Sequence, residues 1–270
     1  MPRGQGLSAA PPGAYREIAP PPVLADRVRC AWTHGPGPGG VQGLHTVAPD
    51  GCMDIIFDLE DGTASFVGTM SGARTFRVPP RRYLGVRFAP GGCGALRAAA
   101  DELVDAHESL EDAIPAAGEV TGLAERMADA PGAAETILWP VLGAWLASRG
   151  ADPAVAAADR HVRRSRGRVS VEELAGALGL SERTLERRYR RHVGLTPKHC
   201  LRIERLNAAR GLVERACGPS LSAIAYGSGY ADQAHFTREF RSLLGRSPGE
   251  WRSGLRTPVG FVQDGDAAEV

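Results

Sequence analysis

Ser170-Val-Glu-Glu-Leu-Ala-Gly-Ala-Leu-Gly-Leu-Ser181 and Ser220-Leu-Ser-Ala-Ile-Ala-Tyr-Gly-Ser-Gly-Tyr230 are two copies of one pattern. The first copy continues as Glu182-Arg-Thr-Leu-Glu-Arg-Arg-Tyr189 and ends at Gly194-Leu-Thr-Pro197. The second continues through Phe236-Thr-Arg-Glu-Phe240 to Gly245-Arg-Ser-Pro248. The offset is 50 up to Gly179/Gly229 and Leu180/Tyr230, and 51 from Leu185/Phe236 onward. A single residue inserted after the turn accounts for the shift.

Each copy reads as a helix, a tight turn and a second helix. The first helices cover Val171 to Leu178 and Leu221 to Tyr226. Each ends at a glycine able to take a left-handed turn. Ser181 and Asp232 are the expected caps of the second helices, which run to about His192 and Leu244. Leu185 with Tyr189, and Phe236 with Phe240, recur at i, i+4 and point to a buried face. The opposite face carries Arg183, Glu186, Arg187 and Arg190 in one copy. In the other it carries Gln233, Ala234, His235, Arg238 and Arg241. Between the copies, 198–216 forms one helix candidate; at 1.5 Å per residue it spans about 28 Å, approaching the ~34 Å turn of B-DNA. A helix fits the major groove, where Arg pairs with guanine and Gln with adenine.

The charge distribution agrees. The net charge of +1 divides into +11 over 160–256, with 20 basic and 9 acidic residues, and −10 over the rest, with 12 and 22. A basic segment beside an acidic one suits a polyanionic partner. Five scattered cysteines without a CxxC motif fit reduced thiols better than a disulfide framework. No apolar run is long enough to span a membrane. Residues 1–12 read as a disordered tail and not a signal peptide, and the expected location, from the reduced thiols, is the cytoplasm.

Upstream, Val28–His34, Leu44–Ala48, Cys52–Leu59, Ser65–Met70, Thr75–Val78 and Tyr83–Phe88 read as short strands separated by turn signals such as Asp61-Gly62. That spacing predicts an antiparallel barrel or sandwich. From 94 onward the texture is helical: 94–100, 101–106, 110–114, 120–130 and 133–148, the last kinked or split by Pro140. Asp152-Pro153 starts a further helix reaching about Arg164. The expected class is α+β: a β-rich barrel or sandwich with helices, then an all-α domain of two helix-turn-helix subdomains joined by a long helix. The expected divisions are a tail at 1–12, a β-rich domain at 13–150, a linker helix at 151–168, the double helix-turn-helix at 169–254 and a tail at 255–270.

Residues 165–253 resemble the AraC/XylS family of transcriptional regulators. The second copy, Ile224-Ala-Tyr-Gly-Ser-Gly-Tyr-Ala-Asp-Gln-Ala-His-Phe-Thr-Arg-Glu-Phe-Arg241, carries the likeness best. The resemblance implies base contacts by Arg183, Glu186 and Arg187, and by Gln233, Ala234 and Arg238 with His235 nearby. Ala234 departs from a polar readout, because its methyl can touch only a thymine methyl. Residues 15–115 resemble an uncharacterised domain of one AraC subgroup, through Pro49-Asp-Gly-Cys-Met-Asp-Ile-Ile-Phe57 and Gly85-Val-Arg-Phe-Ala-Pro-Gly-Gly92. The family implies double-stranded DNA as partner, a small-molecule effector, a homodimer and, for an activator, RNA polymerase. It implies no enzyme activity and no cofactor.

Other readings stand beside this one. Trp32, His34, His45, Phe57, Phe66, Arg87 and Phe88 can line an effector pocket or serve as core and surface residues. His34, His45, Cys52 and Cys93 can form a metal site only if the fold gathers them. A cysteine-based DNA-repair domain is the enzymatic alternative. The acidic run from Asp101 to Asp112 reads as a solvated face. The apolar stripe from Trp139 to Leu146 serves a dimer, a domain contact or the domain's own core.

Overall fold

The computed structural model describes residues 15–36, 43–94, 96, 98–114, 117–130, 133–215 and 218–254. The two terminal tails lie outside them, as does Cys217.

The N-terminal part is antiparallel throughout. Strands β1 (Arg16–Ile18), β2 (Val28–His34), β4 (Met53–Asp58), β5 (Thr63–Val67), β7 (Tyr83–Phe88) and β8 (His107–Ser109) form one sheet in the order β1-β2-β7-β4-β5-β8. A separate ribbon pairs β3 (Gly43–Val47) with β6 (Arg74–Val78). The period-two pattern decides which side each residue faces. Ile55, Phe57, Leu84, Val86 and Phe88 turn to the core, while Asp54, Gly85 and Arg87 turn away. On that second side the Trp32 indole donates to Asp54 at 2.8 Å. The ring lies directly over Gly85, where a Cβ would collide with it.

The core side is covered by α1 (Leu110–Ala113), α2 (Gly118–Thr121), α3 (Leu123–Asp129) and α4 (Ala134–Ala147). Several boundaries differ from expectation. Among the described residues of 94–106 the helical texture gives one 3-10 turn, Ala100–Leu103, with Gly94 and Asp105 at positive φ on either side. The helix expected at 120–130 is two, α2 and α3, with Gly122 between them. Pro140 neither splits nor ends α4, which is assigned as one helix through it. The apolar face of α4 is used inside this domain: Leu138, Leu142, Trp145 and Leu146 are buried in its core.

The helical part has two cores in series. The first unit comprises α5 (Pro153–Ser165), α6 (Val171–Ala177) and α7 (Glu182–Val193). The second comprises α9 (Leu221–Gly227), α10 (Gln233–Leu244) and α11 (Pro248–Gly254). Helix α8 (Pro197–Val213) serves both. Its Cys200, Leu201 and Ile203 enter the first core, and its Leu206, Ala209 and Val213 the second. Helix α5, read from sequence as a linker, contributes Val155, Ala158 and Val162 to the first core. Gly167 (φ +66) makes this possible, since an added Cβ there would strike the Leu201 carbonyl of α8.

The N-terminal domain packs along the helical part. Arg29 pairs with Asp159 of α5. The His199 ring of α8 meets the Ser71 carbonyl at 2.8 Å, and the Asn207 amide of α8 donates to the Pro49 carbonyl at 2.8 Å. The Ala73 N–H donates to the Leu243 carbonyl at the end of α10 at 2.7 Å.

Candidate nucleic-acid interface

Both units build their turn in the same way. Ser170 caps α6 in a full capping box with Glu173, and Ser220 caps α9. Gly179 (φ +64) and Gly229 (φ +82) reverse the chain. The residue after each glycine then bonds back across the turn: Leu180 N–H to the Ala175 carbonyl, and Tyr230 N–H to the Ala225 carbonyl, each at 3.0 Å. Ser181 caps α7 directly. In the second unit the inserted Ala231 precedes Asp232, whose carboxylate accepts from the His235 N–H at 2.6 Å and caps α10.

Helix α7 buries Leu185, Tyr189 and Val193 and exposes Arg183, Glu186, Arg187 and Arg190. These four are spaced i, i+3, i+4, i+7, a single stripe. They line one open groove of about 450 Å³ together with Arg191, Ala99 and Asp101. Arg190 is partly engaged, donating to Glu186 at 3.0 Å. Arg183 and Arg187 make no ion pair among the described residues. Arg188, one position on, turns inward instead and pairs with Asp152 at 2.5 Å. Burial works against the Asp152 charge, but the Val155 and Ala154 N–H groups and Arg188 hold its carboxyl below the usual range.

Helix α10 buries Phe236, Glu239, Phe240, Leu243 and Leu244. Gln233, Ala234 and Arg238 are exposed on its outer side. His235 is half-buried, its ring edge-on to Tyr230 at 5.4 Å, so its side chain belongs partly to the turn. Arg241 lies two turns along, paired with Glu250 at 3.5 Å beside Gly245 and Arg246.

Two residues escaped the sequence reading. Arg191 joins the groove of α7, although helical spacing alone places it beside the stripe. Glu239 sits among the aromatics of α10, clamped by Arg202 at 3.0 Å and Arg205 at 3.3 Å. The Tyr230 hydroxyl donates to it at 3.1 Å, and Arg205 also lies over the Tyr230 ring. Burial raises the Glu239 carboxyl, yet the two guanidiniums bring it below its ordinary value. The available signal was an acidic residue three positions after Phe236, on the side that the apolar spacing marks as buried.

The residues proposed for other roles disperse. Phe57, Phe66 and Phe88 are core residues, whereas Trp32 and Arg87 face the opposite side of the sheet; they do not line one pocket. The His45 side chain lies outside the described residues. Among the described residues, no three His, Cys, Asp or Glu side chains gather into a metal-binding group. Cys30, Cys52, Cys93 and Cys200 are buried. Burial pushes the Cys93 and Cys200 thiols up to about 12, and Cys30 up to about 11. A methyl-accepting cysteine reacts as the thiolate, which these surroundings disfavour. No described helix is long and apolar enough to cross a membrane.

Residues 174–254 match a family described as a helix-turn-helix domain, and residues 16–109 match a domain of unknown function. The chain is 44% identical over 86 residues to the HTH-type transcriptional activator RhaS of Escherichia fergusonii, covering 32% of this chain and 31% of that protein. It thus spans about a third of the length of that relative. An AraC-type transcriptional regulator from Chromobacterium violaceum is 26% identical, with 40% of this chain and 96% of that one covered and a TM-score of 0.37. The DNA-binding domain of AdpA, solved in complex with a target DNA, is 27% identical, with 39% and 95% covered and a TM-score of 0.35.

Proposed function

We propose that the chain is a member of the AraC/XylS family and acts as a sequence-specific DNA-binding transcriptional regulator, placing α7 and α10 in successive major grooves. The observation that carries this reading is the repeated turn. Two units with one backbone geometry present polar stripes, and a shared helix of 17 residues, α8, joins them. In this reading Arg183, Glu186 and Arg187 read one half of the site, with Arg190 and Arg241 reaching phosphates. Gln233, Ala234 and Arg238 read the other half, with His235 at its edge. The stripes differ in chemistry, so a single chain reads an asymmetric site.

We further infer activation as the regulatory sign, with RNA polymerase as a partner, because the RhaS relative is named an activator. The domain at 16–109 is then the place for effector response or self-association, in the cytoplasm. The test is to recover genomic fragments bound by the full chain and footprint them. A protected region with two unequal halves about one helical turn apart supports the reading. Uniform binding without a preferred site would replace it with a nonspecific, nucleoid-type role.

A further inference from the structure

The two helix-turn-helix units touch at a second place besides α8. Helix α5 ends in two consecutive left-handed residues, Arg166 (φ +51) and Gly167 (φ +66). This double turn seats Gly167 on the middle of α8, where an added Cβ would stand 2.2 Å from the Leu201 carbonyl and 2.7 Å from the Arg205 nitrogen. Arg205 is the same residue that clamps Glu239 and covers the Tyr230 ring. The next residue, Arg168, reaches the second unit itself. Its Cγ and Cδ lie 3.5 and 3.6 Å from the Cβ position of Gly229, in the turn before α10. Its Nε donates to the Ser165 carbonyl at 3.3 Å, which fixes the course of the stem. Arg168 and Gly229 are both exposed, so the contact lies at the surface of the seam between the units. Apart from α8, no helix of one unit packs extensively on a helix of the other among the described residues.

A joining helix alone does not fix the separation of two reading helices. The 17 residues of α8 span about 25 Å, and helices of this kind curve with a radius of roughly 60–100 Å. A change of about 10° in that curve moves one end by about 4 Å, more than the ~3.4 Å rise of one base pair. A second contact away from the helix axis removes that freedom. We propose that Arg168 is a positioning residue for DNA reading: its aliphatic stem, laid on Gly229, braces the first unit against the turn of the second and sets the one half-site spacing that the chain accepts. Helix α8, the joint at 166–168 and the turn at Gly229 then form a closed frame. The brace works through van der Waals contact and not through charge, because the methylenes of Arg168 meet the glycine while its Nε is engaged with Ser165. This inference rests on the proposed reading roles of α7 and α10.

The experiment is a spacing series with the full chain. A duplex that the chain recovers from a random-sequence pool is footprinted, and one base pair is inserted or removed between its two protected halves. The Kd of each duplex is read by fluorescence anisotropy. The wild type should bind both altered duplexes about tenfold or more weakly, because one recognition helix then misses its base pairs. Arg168→Ala should bind the original duplex nearly as well as the wild type and lose only about threefold at either altered spacing. Arg168→Met keeps an unbranched stem without the charge and should retain the wild-type preference. Thermal melting checks that both variants fold, as expected for an exposed side chain. A merely structural defect would weaken all three duplexes alike and leave their ratio unchanged, which overturns the brace. So does an Arg168→Met that behaves like Arg168→Ala, since a charge contact then sets the spacing. Two protected halves with a wild type indifferent to spacing also remove the brace, and leave the reading roles standing. A recovered duplex without two protected halves removes the reading roles themselves, and the brace with them.

Discussion

Arg202 of α8 donates to Glu239 of α10 across 3.0 Å, tying the second recognition helix to the helix shared by both units. Arg205 completes the clamp from one turn further along α8. The orientation of α10 relative to the first unit therefore depends on a buried charge as well as on apolar packing. Removing that charge leaves two guanidiniums without their partner. Glu239→Ala is expected to cost about 3 kcal/mol of stability, read from urea unfolding of the full chain. Glu239→Gln, which keeps the shape, should cost less.

The same clamp predicts a pH response. The folded carboxyl of Glu239 lies below its ordinary value of 4.5. Its contribution is therefore fully present above the unfolded value and is lost as pH falls through the lower folded one. Unfolding free energy measured from neutral pH down into the acid range should fall more steeply in the wild type than in Glu239→Gln below 4.5. Parallel curves would mean that the clamp contributes nothing in this window.

On DNA, Arg187→Ala and Arg238→Ala should each lose about 1–3 kcal/mol on the recovered site, with relaxed discrimination at the base each one reads. Arg241→Ala should instead weaken all duplexes alike and flatten the salt dependence, as a phosphate contact does. Fluorescence anisotropy across a salt series separates the two behaviours. Wild-type affinity in both readout variants would remove the base-contact assignment.

Glycine substitutions should rank by surroundings. Gly179 has positive φ but open space around its Cβ position, so Gly179→Ala pays only the left-handed strain, about 1–2 kcal/mol. Gly167 combines positive φ with a collision against the α8 backbone. Gly167→Ala should therefore lower the melting temperature more, by displacing α5 from the first core.

The thiols give a control on the cysteine-based alternative. With Cys30, Cys93 and Cys200 pushed up to about 11 or 12 and all four described cysteines buried, a thiol reagent at neutral pH should leave them unlabelled in the native chain. Peptide mapping after labelling, native against denatured, checks this. Fast native labelling of Cys30, Cys52 or Cys93 would reopen that reading.

Local features carried much of this protein into legibility. Capping residues, turn glycines and the i, i+4 spacing of Leu185/Tyr189 and Phe236/Phe240 act within a few residues of themselves. The sequence by itself therefore determined two helix-turn-helix units, their joining helix and the polar stripes of α7 and α10. Only the tertiary structure decided what depends on contacts between distant segments. It turned Arg188 toward Asp152, half-buried His235 against Tyr230, placed Glu239 between two arginines and packed α5 into the first core. It also set Asp101 beside the arginines of α7. Periodicity reports which face of an element is buried, but not which neighbour buries it. That choice is made by long-range packing, and here it determines which arginines remain exposed.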